Sequence, residues 1–178
     1  RLKSFVSEEH PVVALADLFD HSTVVQTPLK RLAESTETGP RDIATWARAS
    51  GDLNPIHRSG GIARLAHLPQ PIVHGMWTAA RTHQFAIAEL AAGDQQRIRH
   101  FRTEFRATLF AAEPITFRAH RKAIDKGALH VELSAVAHRD VGGARVEELV
   151  LVAHAVVAPP RTAYVLPGQG IQRAGMGM

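Results

Sequence analysis

The second half of the chain alternates apolar and polar residues with a period of two. The alternating runs are residues 101–109, 115–119 and 129–137. This alternation is typical of strands that bury one face, and turn-forming residues at 125–127 and 140–143 punctuate it. Residues 148–157 are apolar on both faces, as expected of a strand in the middle of a sheet. This half of the chain therefore predicts an antiparallel meander.

The first half of the chain shows helical spacing instead. Ile43, Trp46 and Ala47 recur at short helical intervals, and residues 75–92 are apolar over much of a helical circumference. The predicted elements are a strand over 22–32 interrupted at Pro28, a turn-rich stretch over 34–40, a helix beginning at Pro40, a short helix over 61–67 and a long buried helix over 75–92. Helices followed by strands indicate an α+β domain, with one long helix against a curled antiparallel sheet.

Composition and charge exclude several classes of protein. The 178 residues are 45% hydrophobic, which suits one ordinary domain with its own core. The absence of cysteine excludes a disulfide scaffold, a thiolate metal site and a cysteine nucleophile. A net charge of +4 is too small and too scattered to indicate nucleic-acid binding.

The termini carry no targeting signal, and no apolar run approaches the roughly 20 residues that cross a bilayer. We therefore expect a cytoplasmic protein that does not bind membranes. The chain begins with Arg1 rather than methionine, so we also expect it to be a segment of a longer polypeptide.

The segment Gly51–His57 concentrates residues that can carry chemistry. Asp52 and His57 are five positions apart, and on a continuous helix they would point about 140° away from each other. Pro55 prevents such a helix and pushes Asn54 toward an extended conformation. We therefore expect a turn that brings the carboxylate and the imidazole to one site. Two titratable groups with different ordinary pKa values are what acid–base catalysis requires.

A second motif, Pro71–Met76, ends where the long helix is predicted to begin. Gly75 would stand at that helix start, where backbone N–H groups lack intrahelical partners and the helix dipole is positive. A ligand oxygen that gains negative charge would be stabilised there, and glycine permits its close approach. The two motifs offer an acid, a base and an oxyanion donor, without a nucleophile or a metal cluster. This set suits proton removal beside a thioester carbonyl, coupled to loss or addition of water.

Simpler interpretations of the same residues stay open at this point. Asp and Asn side chains hydrogen-bond their own backbone in turns, so turn formation alone would explain Asp52 and Asn54. His57 is equally compatible with a structural or surface histidine. His74 is compatible with a helix-start residue that has no chemical role.

Together, the two motifs resemble the signature of the MaoC-like, hydratase-2 branch of the hot-dog superfamily. The similarity spans residues 41–92 and includes the separation of 18 positions between His57 and Gly75. It implies a hot-dog fold, in which an antiparallel sheet wraps a long central helix. It also implies that Asp52 and His57 form a catalytic dyad, and that the Gly75 N–H holds the thioester oxygen. Asn54 would brace the loop, and His74 would belong to the same oxyanion and substrate-binding region.

Two further features narrow the resemblance. Many free-standing members have an acidic residue two positions after the catalytic histidine, and some have a serine eight positions after the glycine; this chain has Ser59 and His83 there. Ser59 occupies a position where serine is usual in the dehydratase domain of fungal and actinobacterial type I fatty acid synthases, so the chain resembles that domain. Residues 164–178 resemble the start of a malonyl/acyl transferase domain. We therefore predict an N-terminal linker and first strand region over 1–40, a MaoC-like hot-dog dehydratase domain over 41–160 and a transferase start over 161–178.

The resemblance implies a (3R)-3-hydroxyacyl-[acyl carrier protein] dehydratase segment of a type I fatty acid synthase, which eliminates water to give a trans-2-enoyl thioester. The resemblance implies that no metal or redox cofactor is required. It also implies that the phosphopantetheine of an acyl carrier protein, or CoA, carries the substrate. Expected partners are the acyl carrier protein, other synthase domains and a second hot-dog domain. Four arginines over 97–106 most simply form a solvated face, with docking of an acidic carrier protein as the alternative.

Two rival functions remain. The first is a free-standing (R)-specific enoyl-CoA hydratase, since the same residues serve both directions of the reaction. The second is a non-catalytic hot-dog module that binds an acyl chain or mediates assembly. The division of acid and base between Asp52 and His57, and the preferred acyl chain length, are left open by the sequence.

Overall fold

The computed structural model describes residues 24–161, and their side chains from residue 29 onward. Its strands are β1 (Val24–Thr38), β2 (Ile98–Phe105), β3 (Pro114–Asp125), β4 (Ala128–Val141) and β5 (Ala144–Val157). Its α-helices are α1 (Ala44–Ser50), α2 (Gly60–Leu65) and α3 (Gly75–Ala91), with 3-10 turns at Pro55–His57 and Gln95–Arg97. Most of the predicted linker and of the transferase-like stretch lies outside the described residues.

These strands form one antiparallel sheet in the order β1-β3-β4-β5-β2. The meander predicted for β3, β4 and β5 is confirmed, and β5 lies inside the sheet as its two apolar faces indicated. The prediction is wrong for β2, which pairs with β5 at the far edge and not with β3. The apolar β5 needs a neighbour on each side, and that non-local requirement decides where β2 goes.

The first strand is longer than its sequence indicates. We expected a turn-rich stretch over 34–40, but β1 continues to Thr38. Pairing with β3 explains the difference, since Thr36 and Thr116 join their hydroxyl groups across the two strands at 2.8 Å. The register shifts around Pro28, which has no N–H to offer the ladder.

Helix α3 packs on the sheet and contacts all five strands. Its buried residues are Thr78, Ala79, Thr82, Phe85, Ala86 and Ala91. Most of them are small, which lets the helix approach the sheet closely, and Phe85 stacks on Phe117 with ring centroids 5.9 Å apart. The predicted α+β architecture is therefore confirmed. No helix within residues 24–161 combines the length and apolarity needed to cross a membrane.

The chain just before α3 is held by the loop between β2 and β3. The Val73 N–H donates to the Leu109 carbonyl at 2.8 Å, and Ile72 forms an isolated β-bridge with Phe110. The Arg139 guanidinium lies 4.6 Å from the centre of the Phe110 ring and fixes that loop from the sheet side. These contacts set the start of α3 relative to the preceding segment, where the candidate site lies.

Candidate active site

The loop after α1 turns sharply and exposes its polar side chains. Helix α1 ends at Gly51, whose φ of 76° is in the left-handed region that glycine tolerates. Asp52 Oδ1 then accepts the Asn54 N–H at 3.2 Å, and Asn54 Oδ1 accepts the Ile56 N–H at 3.2 Å. Pro55 opens the 3-10 turn that carries His57. The loop therefore forms the turn that Pro55 predicted. The Asn54 side chain contributes one hydrogen bond within this turn.

Asp52 and His57 come together at this turn. Asp52 Oδ2 lies 3.6 Å from His57 Nε2, which is ion-pair range but longer than a hydrogen bond. The Asp52 side chain is 51% exposed, whereas His57 is 8% exposed. A solvent-facing carboxyl group thus stands beside a buried imidazole.

The backbone sets the tautomer of His57. His57 Nδ1 lies 2.8 Å from the Ile72 carbonyl oxygen, which can only accept a hydrogen bond. Nδ1 therefore carries the hydrogen, and in the neutral ring the Nε2 lone pair faces Asp52. This arrangement prepares Nε2 to accept a proton.

His74 contacts both members of the pair. Its Nε2 lies 3.1 Å from the Asp52 carbonyl oxygen and 3.6 Å from Asp52 Oδ2. Its ring stacks on that of His57, with centroids 3.6 Å apart and planes 23° apart. His74 is also the N-cap residue of α3, yet its side chain makes no capping hydrogen bond.

Gly75 begins α3 directly beside these side chains and is exposed. A Cβ atom added there would lie 3.1 Å from Phe105 Cε1, so glycine lets the Phe105 ring pack closely against the start of α3. The Gly75 N–H is one of the helix-start donors that lack an intrahelical acceptor. A carbonyl oxygen placed at this end would meet a free donor and the positive end of the helix dipole.

Asp52, His57 and His74 are residue types that bind metals, and one ligand atom of each lies within 4.8 Å of the others. The hydrogen bonds argue against a shared ion. The Asp52 carbonyl oxygen accepts a hydrogen bond from His74 Nε2–H, so the Nε2 lone pair of His57 and the Asp52 carboxylate remain as the groups that face each other. Two ligands fall short of the three or four that zinc sites use. The cluster is better suited to proton transfer.

Two contributors to the site could not be identified from residue patterns. The Ile72 carbonyl acts through its backbone, which no residue pattern reveals. Phe105 was expected to face the core, but it is 48% exposed and lies against Gly75.

A cavity of about 250 Å³ lies between β1 and α3, and neither Asp52 nor His57 lines it. Of the four arginines over 97–106, Arg97 donates to the Ala158 carbonyl, which occupies it within the chain.

The fold and the site define a hot-dog domain that carries a carboxyl group and an imidazole beside the start of its central helix. The chain belongs to the MaoC-like domain family, whose family model matches residues 20–140. A solved structure titled as a MaoC-like dehydratase is 27% identical, with a TM-score of 0.61 over 74% of this chain and 40% of that chain. The (R)-hydratase of A. caviae, described as involved in PHA biosynthesis, superposes with a TM-score of 0.56 over 75% of this chain and 99% of that one, at 21% identity.

The curated relatives are much longer proteins. The fatty acid synthase subunit beta of Aspergillus oryzae is 36% identical over 139 residues, which is 78% of this chain and 7% of that protein. This chain spans only 7% to 9% of the first such relatives. The predicted hot-dog fold and MaoC-like family are therefore confirmed. The transferase start, the domain boundaries and the roles of the site residues stay predictions.

Proposed function

We propose that this chain is a dehydratase unit that removes water from a (3R)-3-hydroxyacyl thioester and gives a trans-2-enoyl thioester. The observation that carries the proposal is the approach of Asp52 Oδ2 to His57 Nε2 beside the first residue of α3. Similarity to fungal fatty acid synthase beta subunits supports the acyl thioester as the substrate class. This dehydration would be one step of fatty acid biosynthesis.

In this proposal His57 is the general base. Its Nδ1–H donates to the Ile72 carbonyl, so the Nε2 lone pair is free to take the proton from C2 of the substrate. The same carbonyl stabilises the imidazolium that forms, because it keeps accepting from Nδ1. Position and tautomer together favour His57 over Asp52 for this role.

Asp52 supplies the proton that leaves with the hydroxyl group. As the C2–H bond breaks, the C3–O bond breaks and a C2–C3 double bond forms, and the Asp52 proton completes the departing water. Negative charge gathers on the thioester oxygen during this step, where the Gly75 N–H and the positive end of α3 stabilise it. One donor of this kind contributes about 10²–10³ in kcat in other enzymes.

The elimination changes no oxidation state overall, so the proposal requires neither a redox cofactor nor a metal. We propose that the phosphopantetheine of an acyl carrier protein holds the substrate, in a synthase that acts in the cytoplasm. This assignment follows from the similarity to fatty acid synthase subunits, of whose length the chain is a small part. Other domains of such a synthase would be its neighbours.

A second hot-dog domain is the remaining proposed partner. Large apolar side chains around the site are exposed: Leu53 by 52%, Leu65 by 78%, Met76 by 63% and Phe105 by 48%. Water-exposed apolar groups in one region are typical of a surface that a partner covers. A partner seated there would cover this exposed apolar surface.

The test is the dehydration rate of purified protein on 3-hydroxyacyl thioesters, followed by the absorbance of the enoyl product. Asp52→Asn and His57→Ala are each expected to abolish water loss while circular dichroism stays unchanged. Asp42→Asn is the matched control, because Asp42 Oδ1 accepts the Ala44 N–H at 2.8 Å in the same local arrangement without a histidine beside it. An unchanged rate in either site variant would refute the role assigned to that residue. Absence of turnover by the unchanged protein would favour the non-catalytic acyl-binding module.

A free-standing (R)-specific enoyl-CoA hydratase would use the same residues in the reverse direction. Turnover of carrier-protein and CoA thioesters of the same acyl group separates the two functions. A much higher kcat/KM on the carrier-protein substrate supports the synthase role. A preference for CoA supports the hydratase.

A further inference from the structure

His74 is buried against the proposed catalytic pair but has little surface with which to touch a substrate. The residue is 3% exposed, and its Nδ1 is buried without a hydrogen-bond partner among the described residues. Its Nε2–H donates to the Asp52 carbonyl oxygen, and one face of its ring stacks on His57. The geometry therefore separates His74 from the groups that would bind the thioester.

We propose that His74 is a positioning residue that holds both members of the catalytic pair at once. This inference rests on the proposed function, in which Asp52 is the acid and His57 the base. It assigns to one side chain two tasks that are usually divided between separate supporting groups.

The first task is to fix the backbone of Asp52. The Asp52 side chain is half exposed, so solvent alone would let its carboxyl group move. The bond from His74 Nε2 to the Asp52 carbonyl oxygen, 3.1 Å long, ties the loop to the start of α3 across 22 residues of sequence. Because the carbonyl can only accept, the hydrogen must lie on His74 Nε2.

The second task is to fix the ring of His57. A centroid distance of 3.6 Å leaves the two imidazoles in direct contact, so the His57 ring cannot swing toward α3. The hydrogen bond to the Ile72 carbonyl fixes the direction in which His57 Nδ1 points, and stacking on His74 fixes the orientation of the His57 ring plane. Together these contacts hold Nε2 toward Asp52 Oδ2, and misplacement of a reacting group by about 1 Å can lower a rate about 100-fold.

Helix capping alone does not account for a histidine here. His74 occupies the N-cap position of α3 without a capping hydrogen bond from its side chain, and Ser, Thr, Asp or Asn would cap better. The His74 side chain instead makes the two contacts with Asp52 and His57.

Two substitutions separate these contacts. The side-chain amide of Gln places an N–H near the Nε2 position, so His74→Gln keeps the bond to the Asp52 carbonyl. His74→Phe keeps a ring against His57 but removes that bond. We expect each substitution to lower kcat about 10- to 100-fold with KM changed less than about twofold, because each removes one of the two contacts that place the catalytic pair.

His138 provides the matched control. It is a largely buried histidine whose Nε2 bonds the Thr116 hydroxyl at 2.6 Å on the sheet, so its loss removes a comparable hydrogen bond away from the pair. His138→Gln and His138→Phe are expected to change thermal stability and to leave kcat per folded molecule unchanged. An equal fall in kcat in both pairs of variants would reduce His74 to a structural residue and overturn the proposal.

An activity-independent measurement completes the test. In ¹⁵N- and ¹³C-labelled protein, His74 is expected to carry a hydrogen on Nε2, because the Asp52 carbonyl oxygen beside it can only accept a hydrogen bond. The Asp52 carbonyl ¹³C resonance should move in His74→Phe and stay in place in His74→Gln. An Nε2 without a hydrogen, an unmoved carbonyl in His74→Phe, or a rise in KM without a fall in kcat would overturn the positioning role. If neither the unchanged protein nor any variant dehydrates a thioester, the proposed function fails. The NMR resonances would still test the contacts of His74.

Discussion

Substitution of Gly75 by alanine is the sharpest test of the start of α3. The new Cβ would lie 3.1 Å from Phe105 Cε1 and 3.4 Å from Cδ1 and Cζ. Carbon atoms prefer separations of about 3.5–4.0 Å, so the overlap is a few tenths of an ångström. Phe105 is 48% exposed and its ring can swing toward solvent, which keeps the strain below about 1 kcal/mol. The better helix propensity of alanine, up to about 1 kcal/mol, offsets that strain.

Gly75→Ala should therefore change the free energy of unfolding by less than about 1 kcal/mol and still impair catalysis. The methyl group would stand beside the N–H that receives the thioester oxygen, and we expect kcat to fall about 10- to 100-fold, somewhat less than complete loss of an oxyanion donor. The assay is steady-state dehydration together with thermal unfolding of the same preparation. Gly61→Ala is the control, because its Cβ meets only Ser59 Oγ at 3.7 Å near the start of α2.

The double variant Gly75→Ala with Phe105→Ala distinguishes two causes of the loss. If the methyl group blocks the N–H, removal of the Phe105 ring leaves the activity low. If displacement of the ring is the cause, the double variant behaves like Phe105→Ala alone. Full activity in Gly75→Ala would refute the use of this N–H for the thioester oxygen.

Three further outcomes are expected. Burial lowers the pKa of His154 below the ordinary value of about 6.5, so below that pH the unfolded chain binds a proton that the folded chain does not. The melting temperature should therefore fall as pH drops from about 7, and less steeply in His154→Gln; an unchanged slope in the variant would contradict this cause. Arg139→Gln, which removes a 2.8 Å bond to Glu113 and the contact with Phe110, should cost about 1–3 kcal/mol in urea unfolding, whereas an unchanged midpoint would mean that the loop before β3 is held otherwise. Treatment with EDTA should leave the dehydration rate unchanged, and a loss that zinc restores would assign the cluster of Asp52 and the two histidines to a metal.

Local sequence signals were enough for the elements that carry their own pattern. The helix predicted over 75–92 is found as Gly75–Ala91, because its apolar face and the glycine after it act within a few residues. The turn around Pro55 is also local, since the proline and the neighbouring Asp and Asn side chains build it without distant partners. The family resemblance followed from these same short segments.

Predictions failed where distant pairing outweighed local preference. The polar residues from 34 to 38 have the composition of a turn, yet cross-strand bonds to β3 make them part of β1. The position of β2 beside β5 could not be read from the order of strands along the chain. In both cases the deciding contact joins residues more than 40 positions apart, which a pattern of period two does not encode.

Local residue patterns were sufficient to predict that a carboxyl group and an imidazole meet at a proline-bent loop, and that a glycine begins the long helix. The contact of His74 with both Asp52 and His57 depends on the folded arrangement, because the two segments meet through the β-bridge of Ile72 and the packing of α3. The folded arrangement also decides that the Ile72 carbonyl sets the tautomer of His57 and that Phe105 borders Gly75. Residue types and their spacing specify which groups are available, whereas distances and hydrogen-bond directions depend on elements folded together from separate parts of the chain.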